Sequence, residues 1–148
     1  MRRLARARAA GAAVVHIAHR GAAGGLFDRD AAGGAILPQA APAAGETVIE
    51  KGLPNAFAGT GLQAELERIG RKELILAGFM THMCVSSTAR AALDQGFRTA
   101  VAADAAATRA LPDPLGGPAM DGATLHRAAL TALADRFAIV VPVAALPD

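Results

Sequence analysis

Aromatic residues make up only 3% of this chain, there is a single cysteine, and net charge is just +2. One cysteine leaves no intrachain disulfide framework and is expected of a reducing cytoplasm. So small a charge gives no electrostatic argument for nucleic acid or a membrane surface. Apolar stretches are interrupted by Gly, Pro or charge every few residues, so none reaches membrane-spanning length. The start is an Arg/Ala stretch without an apolar core and cleavage site, so no secretory leader is expected. Gly21–Gly25 (GAAGG) lacks the lysine and helix of a phosphate loop, and no Gly-x-Ser-x-Gly elbow occurs. Scarce aromatics beside abundant alanine reflect base composition and carry no functional argument.

What remains is a chain of 148 residues, 53% hydrophobic and 19% charged. That suffices for one domain with a sizeable core. Arg2, Arg3, Arg6 and Arg8 cluster at the start and are expected to form the solvated face of a short helix. Short apolar runs alternate with helical stretches. Helices are expected over Met1–Ala10, Thr60–Ile69, Met83–Gln95 and Asp121–Asp135, with Gly11, Gly70 and Gly96 as stops after the first three. Thr60 and Gln63 stand in capping-box spacing. Strands are expected at Ala12–Ala18, Thr47–Glu50, Glu73–Ala77, Arg98–Ala103 and Phe137–Val141. His19–Gly45 shows no period and is long for a loop, which marks a functional or mobile segment. Apolar strands alternating with helices predict an α/β domain, a three-layer α-β-α arrangement around a doubly wound, mostly parallel sheet.

Open parallel sheets place their sites at the carboxyl ends of strands. His19, Lys51, Cys84 and Asp104 fall there. Cys84 lies in or beside the first turn of a helix, where free N–H groups favour a thiolate and can hold an oxyanion. The alternative is a buried structural cysteine. Lys51 directly follows a strand, and a lysine there lowers a neighbouring thiol's pKa or holds a carboxylate. The alternative is a surface lysine. His16 and His19, with Asp28 and Asp30 nearby, invite a metal. An offset of three along a strand puts the two rings on opposite faces, so no metal is expected. His16 is expected to be buried and hydrogen-bonded, His19 to line the pocket, His82 to carry protons or be exposed, and His126 to be packed or exposed.

The stretch GFMTHMCVSSTARAALDQGFRTAVAADAAA, Gly78 to Ala107, resembles the cysteine signature of the isochorismatase-like hydrolases. VIEKGLPNAFAGTGLQAEL, Val48 to Leu66, resembles that family's lysine segment. Leu4–Arg20 resembles its first helix and second strand, and LHRAALTALADRFAIVV its closing helix and strand. The resemblance implies an Asp, Lys and Cys triad with Cys84 as nucleophile and Lys51 as the basic member. It also implies a non-proline cis peptide at Phe79–Met80, with the Met80 and Cys84 amides at the oxyanion, and a pocket including His19, Phe57, Phe79 and His82. No cofactor is implied. The partners implied are a small-molecule substrate and copies of the same chain in a homo-oligomer.

The family's aspartate lies on a first, central strand that these residues do not contain. Its absence would leave two apolar strands with unpaired backbone, at about 1–3 kcal/mol per buried unsatisfied group against a typical stability of about 5–15 kcal/mol. An N-terminally incomplete member is therefore expected. Asp104 ends a strand on the correct edge, but the resemblance places it away from the triad's aspartate. The function expected is cysteine-dependent hydrolysis of a small amide or isochorismate-like compound. The alternative is a catalytically inactive member, or a fragment, acting as a binding or oligomeric partner.

Overall fold

The computed structural model describes residues 2–146, and for residues 2 and 3 the backbone alone. The solvated side chains expected at Arg2 and Arg3 therefore lie outside it. The chain divides into two compact units, meeting in sequence at Gly70 and Arg71.

The first unit begins with α1 (Arg2–Ala9), followed by Gly11 at φ +66°. Strand β1 (Val15–His19) then pairs in parallel with β2 (Thr47–Lys51), in a register that runs from Val15 opposite Thr47 to His19 opposite Lys51. Both strands reach one residue further than expected, so His19 and Lys51 are terminal strand residues. Arg8 is more than a solvated charge. Its Nε donates to Glu46 Oε1 at 2.7 Å and its NH2 group to Glu46 Oε2 and the Ala41 carbonyl. Glu46 also contacts His16 Nε2 at 2.7 Å and accepts from Ala43 N. One carboxylate thus fastens α1 to the entry of β2, and His16 is hydrogen-bonded as expected.

Helix α2 (Leu62–Ile69) closes this unit with Leu62 and Leu66 buried. The capping box expected at Thr60 and Gln63 does not form. Gly61 is the cap residue. Thr60 Oγ1 accepts from Leu62 N and donates to the Ala56 carbonyl, while Gln63 Nε2 donates to Glu67. A hydroxyl already engaged by its own turn has no geometry left to reach three residues on. Gly70 stops the helix at φ +73°.

The second unit holds β3 (Glu73–Phe79), β4 (Arg98–Ala107) and β5 (Ile139–Val141), all parallel with β4 in the middle. Helices α3 (Ser86–Asp94) and α4 (Gly122–Arg136) accompany them. Val85, Ala89, Val101 and Leu133 form the buried centre, packed against Leu76, Leu130, Phe137 and Val140. Ala89 and Ala92 are fully buried, and such small side chains let α3 lie close to its neighbours. Asp121 caps α4 by accepting from Thr124 N at 2.9 Å.

The architecture is the α/β class expected, with parallel strands flanked by helices. The strands are divided between two sheets, β1 pairing with β2 and β3 with β4. Among the described residues no helix is long and apolar enough to cross a membrane.

Candidate active site

His19 and Lys51 are brought together at the last rung of the first unit's sheet. Side chains of directly opposed parallel strands point to the same face. Lys51 Nζ lies 3.1 Å from His19 Nδ1 and donates to the Leu53 carbonyl at 2.9 Å. At 5% exposure Lys51 is not the surface lysine that its residue type suggests. A lysine is rarely so deeply placed unless its ammonium is paired, as it is here with His19 and the Leu53 carbonyl among its partners. Burial first, and the Lys51 charge second, hold the His19 imidazole below its ordinary pKa.

The segment between β1 and β2 is ordered by polar contacts despite its lack of period. Arg20 and Arg29 both donate to the Glu50 carboxylate, at 2.7 and 3.1 Å. Asp28 accepts from the backbone N–H groups of Gly24 and Asp30. Phe27 packs edge-on against the His19 ring with centroids 5.3 Å apart. Gly34 accepts from Arg29 through its carbonyl. A Cβ at Gly34 would sit 2.0 Å from the Asp28 carbonyl oxygen, so only glycine fits there. Phe57, expected in the pocket, belongs to this unit, and its N–H donates to Asn55 Oδ1.

Cys84 lies in the second unit, on the connection leaving the carboxyl end of β3. The expected helix from Met83 begins differently. Thr81–Val85 form a π-helical turn, and α3 starts only at Ser86. The N–H groups of Met83 and Val85 both donate to the Met80 carbonyl, which widens the turn. Such wide turns recur at functional positions. The Phe79–Met80 peptide is cis, as the resemblance implied. Cys84 is half-buried and takes part in no disulfide. Phe79 is exposed, at 61%.

His82 and Thr108 are hydrogen-bonded side chain to side chain, which makes His82 a fixed group and not an exposed one. Burial and then the Arg109 charge lower its pKa. Thr81 is fully buried and its Oγ1 lies 2.8 Å from His126 Nδ1. Sequence reasoning missed the Thr81–His126 pair and the contribution of Thr108 and Arg109. These partners come from elements far apart in the chain, and no local pattern signals them. Asp104 lies within β4, since that strand continues to Ala107 rather than ending at Ala103. Its Oδ1 accepts from Val143 N at 2.7 Å, a structural role. Among the described residues no three His, Cys, Asp or Glu side chains converge as metal ligands would.

The isochorismatase domain profile matches residues 1–145 of this chain. A secreted isochorismatase effector of Verticillium dahliae is 39% identical over 90% of the chain and 68% of its own length. A streptothricin hydrolase of Streptomyces noursei is 40% identical over 97% of the chain and 52% of its own length. The crystal structure of an isochorismatase from Pseudomonas putida superposes with a TM-score of 0.93 at 41% identity, covering 99% of this chain and 74% of that one. The chain thus spans about half to three quarters of the length of these relatives.

Proposed function

The chain belongs to the isochorismatase family, and from that premise we propose that it carries the nucleophile and the lysine of a cysteine hydrolase acting on a small amide. The observation that carries this reading is the position of Cys84, a half-buried thiol on a π turn at the carboxyl end of β3. The buried ammonium of Lys51, at the carboxyl end of β2, supports it.

In the proposed reaction the Cys84 thiolate attacks the amide carbonyl carbon, and the backbone amides of Met80 and Cys84 receive the oxyanion. The carbon–nitrogen bond breaks, and the proton taken from the thiol passes to the leaving nitrogen. Water then attacks the thioester, releasing the acid and restoring the thiol. Lys51 stabilises negative charge through these steps. Asp104 is not proposed as the base, because its carboxylate is engaged with Val143. His19, Phe57, Phe79 and His82 are proposed to line the substrate pocket. A homo-oligomer is proposed as the working form. The need for a reduced thiol supports a cytoplasmic setting, while one relative is described as secreted.

The test is turnover of a panel of small amides that includes streptothricin, followed by mass spectrometry of the acid-quenched enzyme. An acyl adduct on Cys84 is expected. Cys84→Ala should lose on the order of 10³-fold or more in kcat, and Lys51→Met on the order of 10²-fold. Undiminished turnover by Cys84→Ala would overturn the mechanism.

A further inference from the structure

We propose that His19 is a positioning residue for Lys51, its Nδ1 lone pair taking one ammonium hydrogen while the Leu53 carbonyl takes another, so that the two together fix the ammonium's place and rotation. The proposal rests on the reading of Lys51 given above.

The geometry is built into the strand register. His19 and Lys51 are opposed at the last rung of a parallel pair, so their side chains rise together from one face. Lys51 Nζ is then 3.1 Å from Nδ1 and 2.9 Å from the Leu53 oxygen. An ammonium has three donors and no acceptor. Nδ1 must therefore be unprotonated, and the hydrogen of the neutral ring sits on Nε2. That decides the tautomer by elimination. The ring is itself held, with Phe27 edge-on at 5.3 Å and the Phe27 carbonyl accepting from Gly21 N at 2.8 Å. With Lys51 only 5% exposed, water is a poor substitute acceptor if His19 is lost.

The arrangement is also conditional. A proton on Nδ1 turns the acceptor into a donor, breaks the bond and sets two cations against each other. Within this unit the other charged groups on neighbouring segments are Glu50, Arg20, Asp28, Arg29 and Asp30. Glu50 is occupied by Arg20 and Arg29, and Asp28 by two backbone N–H groups. Arg20 and Asp30 are 3.9 Å apart at closest approach. Lys51 is the charge that bears on His19, and it acts with burial to keep the ring neutral.

Histidine ring NMR on the whole chain provides the test, with four histidines to resolve and His19 assigned by its absence from His19→Asn. The expected result is the Nε2–H tautomer, with a titration midpoint below that of a free histidine. In Lys51→Met that midpoint should move upward, since the neighbouring cation is gone. An Nδ1–H tautomer, or a midpoint indifferent to Lys51→Met, overturns the proposal. Turnover supplies the second arm. His19→Asn places an amide oxygen near Nδ1 and should lose less than about tenfold in kcat, while His19→Leu should lose about a hundredfold. The acid limb that His19 gives the pH profile should vanish in His19→Asn. Equal losses in the Asn and Leu variants also count against the proposal. If Lys51→Met retains full turnover, the functional reading fails by itself, and the ring NMR still decides the bond.

Discussion

Thr81 is fully buried in the turn that carries Cys84, and its hydroxyl is bonded to His126 across 45 positions of sequence. Replacing it with the isosteric valine removes the bond without opening a cavity. His126 is only half-buried, so water can take over its nitrogen. Thr81→Val is therefore expected to lower stability by about 1 kcal/mol, read as a shift of the urea midpoint, and Thr81→Ser to retain most of it. At this scale the sequence was informative about single residues and silent about pairs. The positions of Cys84 and Lys51 at strand ends were legible because each stands within a recognisable segment. The buried state of Lys51 was not, because a lysine is ordinarily exposed and only the packing of β2 overrides that. Thr81, His126, Thr108 and Arg109 were illegible as partners for the same reason. A hydrogen bond between distant elements leaves no periodic trace.

The elements themselves followed their patterns closely, in the order α1, β1, β2, α2, β3, α3, β4, α4, β5. Glycine stops at Gly11, Gly70 and Gly96 fell where a left-handed residue ends a helix, with φ of +66°, +73° and +78°. The departures lie where side chains compete. Thr60 bonds within its own turn, so α2 starts later without a capping box. The widened turn Thr81–Val85 delays α3. The segment between β1 and β2 has no pattern to predict, yet it is held by Glu50, Asp28 and the close approach at Gly34. Gly34→Ala should force the Asp28 carbonyl away and loosen the Arg29 contact with Glu50. Faster proteolytic cleavage between residues 20 and 46, with α4 unaffected, is the expected outcome. Unchanged cleavage would mean the segment tolerates the clash.

For the whole molecule, acid sensitivity is the clearest expectation. His19 and His82 both have lowered pKa values, from burial first and then from Lys51 and Arg109 respectively. The unfolded chain binds protons at these rings near pH 6.5, and the folded chain resists them until lower pH. Their contribution is complete above about pH 6.5 and is lost as pH falls toward the lowered values. The carboxylates act in the same direction further down. Arg68 and then Thr47 bring Glu65 from 4.5 to about 2, and Arg8 holds Glu46 lower still. Their contribution is present above pH 4.5 and is lost on further acidification. Urea midpoints should therefore fall from pH 7 to 5.5 and again from 4.5 to 3. In His82→Asn the first fall should be smaller. A midpoint that rises between pH 7 and 5.5 contradicts the assignment.

The amino-acid sequence by itself determined the alternation of strands and helices, the parallel α/β class and the family. Each of these is written in local spacing or in a contiguous segment. Tertiary structure alone decided that Lys51 is buried against His19, that Glu46 ties α1 to β2, that Asp104 is spent on Val143, and that the strands divide between two sheets. Those outcomes depend on which distant groups find one another when backbone and side-chain donors must be satisfied inside a packed interior, and no neighbouring residue in the chain encodes that choice.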